Sequence, residues 1–110
     1  MATTRPAGRL RTFIVECYTP GSTRDEITLA GDRLRAAASE ICQAGRDVDY
    51  AGSLLVAEDE VVFHIFRAHH AGPVREVIDR AALAFERVVE SIPIDLEWSR
   101  LASDPARSRR

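Results

Sequence analysis

A chain of 110 residues, 45% hydrophobic and 29% charged, has the size of one domain and the balance of a folded protein, not a disordered one. No apolar run approaches the roughly 18 residues that cross a bilayer, and the opening MATTRPAGRLR carries no apolar signal segment. The net charge of −2 is uneven: residues 1–11 and 100–110 hold seven Arg and one acid, while residues 12–99 hold eight Arg and sixteen acids. An acidic body repels phosphate, so nucleic acid is not an expected partner; with no spanning run and no signal segment, no membrane partner is expected and a cytoplasmic location is.

Residues 1–10, rich in Thr, Arg, Pro and Gly, read as a flexible arm before a domain over 11–100. Thr12 to Tyr18 is β-branched and aromatic, which suits a strand. Pro20-Gly21-Ser22 ends it. Thr23 and Glu26 have capping-box spacing. Ile27, Ala30, Leu34, Ala37, Ala38 and Ile41 then recur at helical intervals, with Gly45 as the stop.

Val48 to Ala57 is predicted as a second strand, Glu58-Asp59-Glu60 as a solvated turn and Val61 to Ala68 as a third strand. Pro73 is predicted at the first position of a second helix that ends near Ala82. A fourth strand is predicted from about Glu86, alternating through Val88, Glu90, Ile92, Ile94, Leu96 and Trp98. Residues 101–110 form a basic tail. Cys17 and Cys42 lie 25 positions apart with no zinc or CxxC pattern, and are expected to be reduced and buried.

The order β-α-β-β-α-β is that of the ferredoxin-like fold: an α+β domain with a four-stranded antiparallel sheet in the order 4-1-3-2. Both helices then cover one face. Strand one offers Phe13, Val15 and Cys17 to one side and Thr12, Ile14, Glu16 and Tyr18 to the other. Strand three alternates Val61, Phe63 and Ile65 with Val62, His64 and Phe66. Two apolar faces with helices for one predict a homodimer that closes sheet against sheet, a dimeric α+β barrel.

Several short motifs carry a resemblance across about residues 11–94. Ile14-Val15-Glu16 precedes Pro20-Gly21, and Tyr50 is followed three residues later by Ser53. His64, Phe66 and Ala68 alternate on strand three, and Ala81, Leu83, Arg87, Val88, Val89 and Glu90 lead into strand four. The chain resembles the small actinobacterial ferredoxin-like domains that include a nickel-binding dimer. Against that family's pattern, Tyr50 replaces a Trp, His64 a Cys and Phe66 a Tyr. The resemblance implies a ligand- or metal-binding homodimer, possible nickel included. The missing Cys removes the thiolate.

His64 and Glu16 form the sharpest constellation, since neighbouring strands would set a carboxylate beside an imidazole. Such a pair orients an imidazole, raises its pKa or chelates a metal, and a buried structural pair is the bland alternative. Tyr50, Ser53, Phe66 and Tyr18 are the candidate ligand-binding residues. His69-His70 reads as solvent-exposed loop, and Gly72-Pro73 as a weak anion site at a helix start. Two classes of function follow. One is a small-molecule- or metal-binding homodimer. The other is a cofactor-free enzyme of the polyketide cyclase or monooxygenase type, with His64 as acid/base and Glu16 behind it.

Overall fold

The computed structural model describes residues 10–94. The elements are β1 (Arg11–Tyr18), α1 (Arg24–Gln43), β2 (Val48–Val56), β3 (Val61–Ala68), α2 (Ala71–Arg80) and β4 (Arg87–Ser91). The sheet is antiparallel in the order β2-β3-β1-β4, which is the ferredoxin-like α+β topology. Among the described residues no helix is long and apolar enough to cross a membrane. The basic tail, Leu96 and Trp98 lie outside the described residues.

Local chemistry sets the helix ends. Thr23 takes the Glu26 N–H while the Glu26 carboxylate takes the Thr23 N–H. This satisfies two donors that the first turn leaves orphaned. Gly45, at φ +96°, turns the chain out of α1. The second helix differs from the prediction. It begins at Ala71, with His70 as its cap, so Pro73 sits two residues inside. Proline is tolerated there because first-turn N–H groups have no helical partner. The fourth strand is also shorter than the alternation predicts: it ends at Ser91, just before Pro93, and leaves Ile92 and Ile94 about 80% exposed. The acidic turn does more than meet solvent. The Glu60 carbonyl accepts from Thr19 and its carboxylate from Gly21, tying the turn to the loop after β1.

The core lies on one side of the sheet. Phe13, Val15 and Cys17 of β1 meet Phe66 and Ala68 of β3 beneath Leu34, Ala37, Ala38 and Ile41 of α1 and Val74, Val77 and Ile78 of α2. The other face has no helix. Ile14, Phe63, Leu54 and Val89 share it, because Ile14 pairs with Ile65 and Val89, and Phe63 with Glu16 and Leu54. Leu54 is 60% exposed. Two ion pairs flank this strip, Glu16 with Arg87 at 2.8 Å and Asp49 with Arg67 at 3.0 Å.

Candidate functional site

Register decides which of the candidate side chains meet. His64 stands opposite Val15, whereas Glu16 stands opposite Phe63. Cross-strand partners share a face and successive residues alternate, so His64 points into the helix-covered core and Glu16 onto the open face. The expected His64–Glu16 pair does not exist. Glu16 instead binds Arg87. Alternation within each strand could not reveal this, because the pairing of β1 with β3 sets the relative parity.

A different constellation forms around His64. The β2–β3 register slips between Tyr50, which pairs with Phe66, and Gly52, which pairs with Ile65. Ala51 is the extra residue of a β-bulge, and Gly52 takes φ +136°. The bulge cancels the usual alternation, so Tyr50 and Ser53, three residues apart, both face the core side. Ser53 pairs with His64 across the ladder. The Tyr50 hydroxyl hydrogen-bonds Ser53 Oγ, and Ser53 Oγ lies 2.6 Å from His64 Nδ1.

His64 is 1% exposed, and burial pushes its pKa from 6.5 down to about 4. The imidazole is therefore neutral near pH 7. The two hydrogen bonds run in one direction when Tyr50 donates to Ser53, Ser53 donates to His64 Nδ1, and Nε2 carries the imidazole proton. Phe66 packs on the Tyr50 ring at a centroid distance of 5.4 Å. The Arg35 guanidinium of α1 lies 4.9 Å above that ring, a cation–π contact. Gly31 of α1 meets the hydroxyl end, where an added Cβ would stand 2.7 Å from Tyr50 Oη.

Of the predicted ligand-binding residues, Tyr50, Ser53 and Phe66 thus come together around His64. Tyr18 does not: it lies on the open face, paired with Val61 and 57% exposed. Sequence reasoning missed Gly31 and Arg35. Gly31 is the one glycine inside α1, and an isolated glycine within a helix is a signal of close packing.

The residues do not fit a nickel ion. His64 Nδ1 is engaged by Ser53, Glu16 is on the opposite face, and the surroundings of His64 are apolar. Among the described residues no three His, Cys, Asp or Glu side chains converge on a metal-sized space. The remaining candidates resolve individually. His69 pairs with Asp47 at 3.4 Å, while His70 caps α2 by accepting the Gly72 N–H and so occupies the anion position. Cys17 is buried, with its thiol pushed up to about 11 by burial and by the nearby Glu86 and Glu16 charges. Cys42 is exposed, contrary to expectation. It follows Ile41 by one residue, which turns it about 100° off the buried stripe.

The fold and this buried polar chain define a ferredoxin-like α+β protein with a Tyr–Ser–His cluster beneath its first helix. No family model matches the chain, and no curated protein matches it. A solved structure, that of SCO4226 from Streptomyces coelicolor A3(2), is similar at a TM-score of 0.63 and 16% identity. The match covers 77% of this chain and 99% of that one. The similarity is one of fold.

Proposed function

We propose that this chain is a cytoplasmic, small-ligand-binding homodimer. The Tyr50–Ser53–His64 chain is the polar anchor for the ligand, and the helix-free face of the sheet closes on a second copy. The observation that carries the reading is a neutral histidine sunk into an apolar core and tied to two hydroxyls. Packing alone would favour apolar side chains there, since buried polar clusters rarely stabilise more than their hydrophobic replacements. Tyr50 and Ser53 are only half-buried, so the cluster runs from the core toward solvent. The apolar strip of Ile14, Phe63, Leu54 and Val89 supports the dimer. Two thiols that form no disulfide suit a reducing compartment.

An enzymatic role for His64 as acid/base draws less support. With its pKa near 4 the imidazole is a weak base, and Glu16, the carboxylate that would hold an imidazolium, lies on the opposite face of the sheet. The test is a thermal-shift screen of the purified chain against neutral polar and aromatic compounds. Compounds that stabilise the protein should lose their effect in Ser53→Ala and His64→Gln and keep it in Cys42→Ser. If every stabilising compound acts equally on all four proteins, the site assignment is wrong.

A further inference from the structure

The ligand-binding reading leaves the ligand class open, and the surroundings of Tyr50 narrow it. We propose that the Ser53–His64 pair is the floor of a phenol-recognition site, and that Tyr50 is its built-in occupant when no ligand is bound. The inference rests on the proposed function and names its ligand.

The half-buried space around the Tyr50 side chain has the shape of a phenol, with three walls and a polar floor. One face of the ring meets Phe66, and the Arg35 guanidinium covers it from α1. The hydroxyl end stops against Gly31, where a methyl group would not fit. Below it lies a hydrogen-bond chain that accepts a phenolic O–H: Ser53 accepts the hydrogen bond from the phenol and donates its own hydroxyl to His64 Nδ1. A site made this way distinguishes a phenol from a hydrocarbon of the same shape, because the hydrocarbon leaves Ser53 Oγ without the hydrogen bond donated to it. It also favours a neutral phenol over an anion. Arg35, the cation over the ring, sits 3.6 Å from Asp32, which offsets it.

Tyr50 is placed to leave. It stands on an edge strand, hydrogen-bonded on one side to β3 alone, and the residue after it is the bulged Ala51. Gly52 follows with nothing within 4 Å of where its Cβ would be. The ring can swing to solvent without unpairing the central strands, and an incoming phenol then takes the same three walls and the same floor. Because the ligand must displace Tyr50, removing that ring should strengthen binding.

The probes are p-cresol and toluene, which differ by one hydroxyl, titrated against the full chain and its Tyr50→Ala variant. Tyr50→Ala should bind p-cresol at least roughly tenfold more tightly than toluene, the worth of one buried hydrogen bond. Adding Ser53→Ala should erase that preference. In the unmodified chain p-cresol should bind more weakly than in Tyr50→Ala, and its binding should move the Tyr50 ring resonances toward those of an exposed tyrosine. Equal binding of the two probes by Tyr50→Ala overturns the phenol assignment. Binding to the unmodified chain that leaves the Tyr50 resonances in place, or no binding up to millimolar p-cresol, overturns it too, and this arm holds even if Tyr50→Ala fails to fold. Compounds of other chemistry that still depend on Ser53 and His64 would then leave the ligand-binding reading standing without its phenolic class.

Discussion

Replacing Gly31 by Ala tests the contact between α1 and the polar chain. In the middle of an exposed helix this change gains about 1 kcal/mol from helix propensity. Here the new Cβ would lie 2.7 Å from Tyr50 Oη, well inside the 3.4 Å where ordinary contact begins. The atom in the way is the end of a rigid ring, pinned to Ser53, so relief means breaking that hydrogen bond. Leaving a buried partner unsatisfied costs roughly 1–3 kcal/mol, so Gly31→Ala should be neutral to destabilising by about 2 kcal/mol. The same change in a Tyr50→Phe background should be stabilising. The oxygen is gone, and the nearest ring atom stands 3.6 Å away, at ordinary contact distance. Urea denaturation of the four proteins closes a double-mutant cycle, with an expected coupling of roughly 1–3 kcal/mol. A coupling near zero, with Gly31→Ala stabilising both backgrounds alike, would refute the close approach and the pinned hydroxyl together.

Three further outcomes are expected. His64 titrates at 6.5 when unfolded and near 4 when folded, so between those values the unfolded chain binds a proton that the folded chain refuses. Its contribution is complete above pH 6.5 and is lost as pH falls toward 4. That is roughly 3 kcal/mol of pH-dependent stability, visible in denaturation curves and absent from His64→Gln. One thiol per native chain, Cys42, should react quickly with a thiol reagent, and Cys17 only after unfolding; two fast thiols would contradict the buried position of Cys17. Leu54→Asp places a charge in the middle of the open apolar strip. It should convert a sedimenting dimer to monomer without lowering stability by more than about 1 kcal/mol, as for other exposed positions.

Much of the fold was legible in the sequence. The capping box at Thr23, the stop at Gly45 and the apolar stripe of α1 follow from local chemistry, and the strand order follows from the element order. The candidate site was legible only in part. Tyr50, Ser53, Phe66 and His64 were each visible as polar or aromatic residues on strands, but their grouping depends on two non-local facts. One is the β1–β3 register, which separates His64 from Glu16 although both faces of both strands are apolar enough to hide it. The other is the bulge at Ala51, for which Gly52 was the available signal. Strand β4 was overestimated because alternation continued past Pro93, where the ladder stops.

The bulge gives this protein an inherited sensitivity of an unusual kind. Tyr50 and Ser53 share a face because Ala51 is a surplus residue on the edge of the sheet. Loss of that single codon would leave the central strands and both helices in place, yet turn Tyr50, and with it Val48 at the edge of the core, to the opposite face relative to Ser53. Relatives that differ by one residue at this point would thus keep the fold and differ in whether the polar chain exists at all. Length between Tyr50 and Ser53, more than the identity of either residue, is the trait along which such domains would divide.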